Sequence, residues 1–310
     1  MFAECTYFKV VMMTFMVSLM RVLLIGSTGL LGTTLCSELK NSGLEVVTVS
    51  RSGPSDIKVD ASNRLSLFNS LPKSGPSFHV AINLAALTSV EECEDRPDLA
   101  HKANTATAEN IACWIKYRSP QTHLVQLSTD HVYEGCGPHK ESDVTLVNTY
   151  ALTKFAGELA VKIVPSTILR TNFVGSSEAT DRHGLTDWLY DSLAREKHIQ
   201  VLNDVLFSPV SISTLCSVIT EVVRKRPVGV FNLGSSGGMS KADFNFAFAD
   251  EVGLPTKYMS RIEASTAKFL RARRPLDMRM DSSKLEGELG IKLPSLLDEI
   301  RKVAKEYERK

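Results

Sequence analysis

The stretch "RVLLIGSTGLLG" (21–32) constrains the fold of this chain more than any other. It is an apolar run followed by three glycines at G-x-x-G-x-x-G spacing: Gly26, Gly29 and Gly32. Leucines then recur at helical spacing, and "EVVTVS" (45–50) is typical of a buried strand. A strand, a glycine turn, a helix and a strand make a βαβ unit. This unit predicts a parallel sheet whose ligand lies at the carboxyl ends of the strands.

The alternation of strands and helices continues along the chain. Further strands are predicted at 79–86, 123–129 and 166–171, with helices at 100–117 and from Tyr150. The elements predicted beyond these are a helix near 185–196, a strand at 200–202, a helix near 211–225, a strand at 229–234 and C-terminal helices. This order predicts an α/β fold with a doubly wound parallel sheet and a smaller, helix-rich C-terminal part.

The glycine turn is a candidate dinucleotide site. Glycines allow a close approach of the backbone, and the following helix offers free N–H groups and the positive end of its dipole to a pyrophosphate. At the end of the second strand, where an acidic residue would hold the ribose of NAD, the chain has Ser50 and Arg51. A hydroxyl and a guanidinium suit a 2′-phosphate, so we expect NADP(H), with NAD(H) as the alternative.

Composition excludes several classes of partner. The net charge is +1, from 36 basic and 35 acidic side chains, which gives no electrostatic footprint for nucleic acid or a membrane surface. The six cysteines are scattered, without pairs at metal-ligand spacing, so we expect no bound metal and a reducing, cytoplasmic compartment. A small molecule is the expected ligand.

Residues 1–19 precede the predicted first strand and include an uncharged run that begins at Val10. The run is too short to span a bilayer, Glu4 stands where a signal peptide is basic, and no cleavage motif follows. We expect a disordered extension or an upstream start, with a weak membrane tether as the alternative. A chain that begins at Met20 should therefore stay soluble and bind NADPH; aggregation or loss of cofactor binding in a purified sample would contradict this.

A second set of motifs lies further along the chain. "STDHVYEG" (128–135) ends a predicted strand, and "YALTKFAGE" (150–158) opens a helix with Tyr150 and Lys154 on one face. Together with the glycine turn, "LRTNFVG" and "RRPLDMRMDSSKL", these segments resemble the extended short-chain dehydrogenase/reductases from about Arg21 to the C-terminus. Within that superfamily the chain is most similar to the dTDP-4-dehydrorhamnose reductases.

The resemblance implies a Rossmann-type fold and NADPH-dependent reduction of a nucleotide-linked 4-keto-6-deoxy sugar, most simply dTDP-4-dehydrorhamnose to dTDP-L-rhamnose. Tyr150 would give a proton to the keto oxygen. Lys154 would hold the nicotinamide ribose and lower the pKa of Tyr150, and Thr129 would donate to the keto oxygen. The other residues that would face the substrate are Asp130, His131, Asn172, Phe173 and Arg274.

The resemblance also implies a set of cofactor-binding residues, to which Tyr150 and Lys154 belong. The others are Gly26, Thr28, Gly29, Leu30, Leu31 and Gly32 at the pyrophosphate turn, Ser50 and Arg51 at the ribose, Asp60 and Ala61 at the adenine, and Ala86, Leu87 and Thr88 after the fourth strand. A loop cap is the alternative for Asp60. The domains expected are an extension at 1–19, a cofactor domain at 20–171 plus about 199–234, and a substrate domain at about 172–198 plus 235–310.

Three departures from the family pattern lie around the sugar. His131 replaces a tyrosine, Phe173 replaces a tryptophan, and "NDVLFSPV" (203–210) lacks a glutamine. His131 is either a packing residue or a second acid/base group, which would suit an epimerase. The three arginines between 271 and 274 bind a diphosphate or form interdomain ion pairs.

Other functions and a homodimer remain open. The second interpretation is an epimerase or dehydratase that retains NAD, although His131 stands where dehydratases carry a glutamate. The third interpretation is a non-catalytic subunit that binds NADP, because "MSKADFNFAFADEVGL" (239–254) resembles the corresponding helix of the regulatory subunit of methionine adenosyltransferase.

Overall fold

A computed structural model describes residues 20–72, 77–177 and 184–308, so our expectations for residues 1–19 lie outside the described residues. Its strands are β1 Arg21–Ile25, β2 Glu45–Ser50, β3 Ile57–Lys58, β4 Val80–Asn83, β5 His123–Thr129, β6 Ser166–Thr171, β7 Phe173–Val174, β8 Ile199–Leu202, β9 Leu206–Phe207, β10 Val210–Ser211, β11 Gly229–Leu233, β12 Met239–Ser240 and β13 Met259–Ile262.

The α-helices of the described residues are α1 Leu30–Asn41, α2 Arg64–Ser70, α3 Val90–Asp95, α4 Pro97–Ala100, α5 Thr107–Arg118, α6 Thr149–Val161, α7 Leu185–Ala194, α8 Ile212–Lys225, α9 Lys241–Glu251, α10 Ser283–Leu289 and α11 Leu296–Tyr307. None of them is both long and apolar enough to cross a bilayer.

The central sheet has seven strands in the order β11-β6-β5-β4-β1-β2-β3. Every neighbouring pair is parallel, and Val22 of β1 lies beside Val46 of β2 and Val80 of β4. β4, β5 and β6 are buried along their whole length, as strands covered on both faces must be. The prediction of a doubly wound parallel sheet is confirmed.

Helices cover both faces of the sheet. On one face, α1 and α8 pack their apolar sides on β1, β4 and β6 around residues such as Leu35 and Ile219. On the other face, α2 and α5 bury Leu67, Ile111 and Trp114 against the sheet. Both layers hold the carboxyl ends of the strands at one edge of the molecule, where a ligand is expected.

A separate apolar cluster unites α7, α9 and α11 with short strands. β8 belongs to this cluster, because Ile199–Leu202 pairs in parallel with Met259–Ile262 and not with the central sheet. We had placed the segment from about residue 199 in the cofactor domain. β8 belongs to the second cluster, the chain rejoins the apolar cluster on the central sheet at Val210, and it re-enters the sheet itself at β11. The division into two domains stays a proposal.

The helix predicted at 100–117 is not one regular helix. Between α4 and α5, residues His101–Ala106 form a turn with the wider π-helical hydrogen bonding. Such wide turns push one residue outward from the helix and are common at functional sites. Here the turn contains the buried side chain of Asn104, which apolar periodicity gives no reason to single out.

Candidate functional site

The glycine turn follows β1 and is packed tightly on its neighbours. Gly26 has φ +86°, and a Cβ there would lie 2.8 Å from the backbone nitrogen of Ala85, in the loop after β4. A Cβ at Gly32 would lie 2.3 Å from the carbonyl oxygen of Gly26. The first glycine is therefore required by backbone conformation, and the third by the approach of α1 to the turn.

A cleft of about 280 Å³ opens beside this turn. The predicted cofactor residues that line it are Gly26, Thr28, Gly29, Ser50, Arg51, Asp60, Ala61, Ala86 and Leu87. The predicted cofactor residues that do not line it are Leu30, Leu31, Gly32, Thr88, Tyr150 and Lys154. Leu31 and Gly32 are instead buried residues of α1, and Thr88 is exposed. Residues from four separate segments thus line one cavity.

Ser50 and Arg51 act differently at the end of β2. The buried Ser50 hydroxyl lies 2.9 Å from the carbonyl oxygen of Ser52 and 2.9 Å from the hydroxyl of Ser55, so it shapes the following loop. Arg51 is exposed and lines the cleft. No ion pair within the described ranges engages its guanidinium, which makes it the cation available to a phosphate there.

Asp60 caps its loop and also lines the cleft. One carboxylate oxygen accepts from the backbone nitrogen of Ser62 at 3.0 Å and from the Ser62 hydroxyl, and the other lies 3.6 Å from Nζ of Lys102. Burial alone would raise the pKa of Asp60, but hydrogen bonds from Ser62 and the charge of Lys102 hold it below its usual value. The loop cap is therefore present, and a role of Asp60 at the adenine stays a prediction.

Two residues of the wide turn are part of the site and were missed from the sequence. Lys102 lines the cleft opposite Asp60. Asn104 accepts from the backbone nitrogen of Leu87 at 2.8 Å and donates to the Leu87 carbonyl at 3.1 Å and to Thr153 at 3.1 Å. Asn104 thus ties the loop after β4 to α6. No local pattern marks either residue, because their partners are distant in the chain.

The predicted reaction residues converge at the carboxyl end of β5. Thr129 is the last residue of that strand, and Tyr150 and Lys154 lie on the buried face of α6. Asn148 caps α6 by accepting from the backbone nitrogen of Ala151 at 2.8 Å. All three reaction residues are buried. The Tyr150 phenol thus lies beside the Thr129 hydroxyl, whereas the Lys154 amine bonds further back along β5, at the Leu127 carbonyl.

The Lys154 ammonium does not lower the pKa of Tyr150 as we expected. Nζ of Lys154 donates to the carbonyl of Leu127 at 2.7 Å, and burial lowers its pKa to about 8. Burial raises the pKa of Tyr150 above its ordinary value, and a hydrogen bond from Thr129 offsets part of that rise. Lys154 is not among the groups that change the pKa of Tyr150. The expectation of a lowered tyrosine pKa was wrong for the protein without ligand. The phenol therefore holds its proton at neutral pH.

Asp130 follows Thr129 directly, in the short turn after β5. Its carboxylate accepts from Nδ2 of Asn172 at 2.7 Å and from the hydroxyl of Thr129 at 3.2 Å. Burial raises its pKa to about 6, and the positive charge of Lys241 opposes that rise. Lys241, the first residue of α9, was missed from the sequence because it is more than a hundred residues away in the chain.

His131 and Phe173, two of the departures from the family pattern, lie in different surroundings. His131 is buried, its ring stands edge-on to Tyr150 at 5.3 Å, and its Nδ1 has no hydrogen-bond partner. Burial lowers its pKa to about 3, so it is neutral and does not supply a proton as an imidazolium. Phe173 pairs through β7 with Val210 and packs against the core on one sheet face.

The three arginines near residue 272 form ion pairs with the cofactor-domain side of the site. Arg274 lies 2.5 Å from Glu91, whose other oxygen accepts from the backbone of Arg271 and Ala272. Arg271 pairs with Asp95 at 2.5 Å. The remaining pair is Arg273 with Glu134 at 3.0 Å. All three arginines form ion pairs, and the expected role of Arg274 in substrate binding stays a prediction.

A buried ion pair supports the end of β5 from behind. Glu158 of α6 accepts from Nη2 of Arg170 at 2.7 Å and from the hydroxyl of Ser128 at 2.5 Å. Both charged residues are buried, and the carboxylate raises the pKa of Arg170 despite its burial. The pair links α6, β6 and β5 directly behind Thr129, a connection that the sequence pattern did not reveal.

Known proteins resemble this chain over almost its full length. The model of the RmlD substrate binding domain matches residues 20–309. The dTDP-4-dehydrorhamnose reductase of Escherichia coli (strain K12) is 27% identical over 89% of this chain and 94% of its own length. Methionine adenosyltransferase 2 subunit beta of Rattus norvegicus is 27% identical over 87% of this chain and 83% of its own. The structure of a dTDP-4-dehydrorhamnose reductase from Clostridium acetobutylicum superposes with TM-score 0.82 at 26% identity, over 93% of this chain and 100% of that one.

Proposed function

This chain belongs to the family of the RmlD substrate binding domain, and from that premise we propose that it is an NADPH-dependent reductase of a nucleotide-linked 4-keto-6-deoxy sugar. The relatives support the broader statement that it is a nucleotide-sugar reductase of the dTDP-rhamnose type. The simplest specific reaction is dTDP-4-dehydrorhamnose to dTDP-L-rhamnose.

The convergence of Thr129, Tyr150 and Lys154 at the carboxyl end of β5 carries this proposal. Leu87, which lines the cleft, packs against the cluster that contains Tyr150. When NADPH is bound, it supplies the hydride that reduces the keto carbon. The buried Tyr150 keeps its proton at neutral pH and gives it to the oxygen that becomes negatively charged. Thr129 donates a hydrogen bond to the same oxygen, which orients the substrate and stabilises the developing charge.

The residues around the cleft fit a dinucleotide phosphate. Gly26 leaves room for a pyrophosphate close to the backbone, and Gly29 is the N-cap of α1, whose first N–H groups suit an anion. Arg51, which forms no ion pair within the described residues, offers its guanidinium at the end of β2, where NAD-specific sites of this type hold an acidic residue. We therefore propose NADP(H) as the preferred cofactor and NAD(H) as a weaker one.

Replacing Arg51 with alanine should raise the KM for NADPH by about 10- to 100-fold, since a hydrogen bond between charged groups is worth about 1.5–3 kcal/mol. The KM for NADH should stay nearly unchanged, because NADH lacks the phosphate. Initial rates with each cofactor at saturating sugar test this. Arg64→Ala is the control, because Arg64 is exposed on α2 and does not line the cleft. An equal loss with both cofactors would contradict the assignment.

The reaction itself is tested by incubating the purified protein with NADPH and a panel of dTDP-, GDP- and CDP-linked 4-keto sugars. The absorbance of the reduced nicotinamide should fall with a dTDP-linked 4-keto-6-deoxy sugar, and the product should be the corresponding 4-hydroxy sugar. No oxidation of NADPH with any member of the panel would overturn the reductase proposal.

A regulatory subunit is the second candidate, favoured by the similarity to methionine adenosyltransferase 2 subunit beta. Such a protein would bind NADP and a partner chain without needing turnover. It predicts that NADPH binds but is not oxidised, and that a methionine adenosyltransferase co-purifies from cell extract. Turnover with a keto sugar at an ordinary enzymatic rate would exclude this candidate.

A further inference from the structure

Lys102 and Asp60 face each other at the cleft beside the glycine turn, and both side chains line it. Nζ of Lys102 lies 3.6 Å from Oδ2 of Asp60, whereas a direct hydrogen bond between an ammonium and a carboxylate is about 2.7–2.9 Å long. The two side chains are 55% and 39% exposed. A donor and an acceptor therefore stand side by side at the cleft, far enough apart for each to bond a third group.

The two carboxylate oxygens of Asp60 have different surroundings. Oδ1 accepts from the backbone nitrogen of Ser62 at 3.0 Å and from the Ser62 hydroxyl at 2.5 Å. Within the described ranges, Lys102 is the one partner of Oδ2. Although burial alone would raise the pKa of Asp60, the hydrogen bonds from Ser62 and the charge of Lys102 hold it below its usual value. The carboxylate is thus ionised at neutral pH, and Oδ2 is left to accept from a ligand.

The wide turn His101–Ala106 fixes the backbone of Lys102. The carbonyl oxygen of Lys102 accepts from the backbone nitrogen of Thr107 and from the Thr107 hydroxyl, the latter at 3.2 Å. Two positions further on, the side chain of Asn104 exchanges two hydrogen bonds with the backbone of Leu87, at 2.8 and 3.1 Å. The turn therefore holds Lys102 beside the cleft and leaves only its side chain to move.

The wall of the cleft that carries Asp60 is tied to the helix that follows this turn. Asn110 of α5 is buried, and its Nδ2 donates to the carbonyl oxygens of Ala61 at 3.1 Å and Ser62 at 2.9 Å. α5 begins at Thr107, directly after the wide turn. One continuous segment therefore holds the backbone on both sides of the pair, so the spacing of the two side chains is set before a ligand binds.

A donor beside an acceptor matches one edge of adenine. That edge carries the 6-amino group, which donates, and N7, which accepts, and the side-chain amides of Asn and Gln read it with the same two kinds of group. Guanine presents two acceptors there, so the Asp60 carboxylate would disfavour it. The apolar lining of the cleft, which includes Ala61, Leu84 and Ala103, suits the faces of a flat base.

Resting on the proposed cofactor NADP(H), we propose that Lys102 is a cofactor-binding residue that donates to N7 of the adenine, while Oδ2 of Asp60 accepts from the 6-amino group. The resemblance to known reductases implied a place for Asp60 at the adenine and gave Lys102 no role. In this arrangement Lys102 and Asp60 recognise the base, and Arg51 recognises the 2′-phosphate. The pair makes the cleft selective for a purine that has both a 6-amino group and N7.

Calorimetric binding, which needs no turnover, tests this contact. The full-length protein is titrated with NADP⁺, with its 7-deaza analogue, in which a C–H group replaces N7, and with its hypoxanthine analogue, in which an oxygen replaces the 6-amino group. The 7-deaza analogue should bind about 5- to 20-fold more weakly than NADP⁺, because a charged donor loses its acceptor at a half-exposed position. Lys102→Met should bind NADP⁺ and the 7-deaza analogue equally, and should still discriminate against the hypoxanthine analogue.

Two further variants separate the contact from a general effect of charge. Lys102→Arg keeps a donor on a long side chain and should retain part of the preference for N7. Lys116→Met is the matched control, because Lys116 is an exposed lysine of α5 that does not line the cleft. This control removes the same charge and should leave all three affinities unchanged.

The outcomes separate this proposal from the reductase proposal. Equal affinity of the unaltered protein for NADP⁺ and the 7-deaza analogue overturns the contact with N7, and so does full discrimination by Lys102→Met. Equal affinity for NADP⁺ and the hypoxanthine analogue overturns the paired recognition with Asp60. No binding of NADP⁺ overturns both this contact and the assignment of the cofactor. The reductase proposal fails on a different result, the absence of NADPH oxidation with every keto sugar.

Discussion

Tyr150→Phe is expected to lower kcat by about 10²- to 10⁴-fold, the range contributed by a positioned general acid, while NADPH binding stays nearly intact. The substitution removes only the hydroxyl. The ring that packs with Cys93, Ala100 and His131 is kept, so the surroundings of the cofactor should not change. Rates are followed by the absorbance of the reduced nicotinamide, and binding by its fluorescence.

Tyr133→Phe provides the matched control for this substitution. Tyr133 is also buried, but its hydroxyl donates to Asn232 at 2.5 Å and accepts from Arg170 at 2.9 Å, outside the site. Its loss should lower stability and leave kcat nearly unchanged. If Tyr150→Phe instead abolishes NADPH binding, the tyrosine is a structural residue and its assignment as the proton donor is incorrect.

The fold could be predicted because its signals are local. The run Arg21–Ile25 is apolar and buried after its first residue, so it could be recognised as a strand that is covered on both faces. The glycine turn could also be predicted from the sequence, because the backbone conformation at Gly26 and the close packing at Gly32 each require glycine. The strand Ile199–Leu202 was predicted, but its partner was not, because pairing depends on residues sixty positions away.

The candidate site was predictable only where its residues follow a strand or share a helix face. Tyr150 and Lys154 were found by their spacing on α6. Asn104 and Lys241 were not, since they reach the site from a wide turn and a distant helix. Lys241 lies in the segment 239–254 that we compared with another protein, but that comparison gave the residue no role. The direction of the Tyr150 pKa shift was missed for a related reason: sequence spacing places two groups near each other but does not reveal how deeply they are buried.

Glu158→Gln should lower the free energy of unfolding by about 3–5 kcal/mol, the usual cost of leaving one partner of a buried ion pair uncompensated. The Glu158 side chain is fully buried, and Arg170, which it pairs with at 2.7 Å, is 3% exposed. The neutral amide has nearly the same shape, so the loss reports charge and not packing. Urea unfolding followed by circular dichroism measures it.

Removing both charges gives the informative comparison. In Glu158→Gln/Arg170→Met no charge is left buried alone, so this double variant should be more stable than Glu158→Gln by at least half of the loss. The exposed pair Arg224 and Glu221, 2.6 Å apart on α8, is the control, and its Glu221→Gln variant should lie within about 1 kcal/mol of the unaltered protein. If the double variant is instead the least stable, the pair contributes a net attraction that exceeds its desolvation, and β5 and its terminal Thr129 depend on that attraction directly.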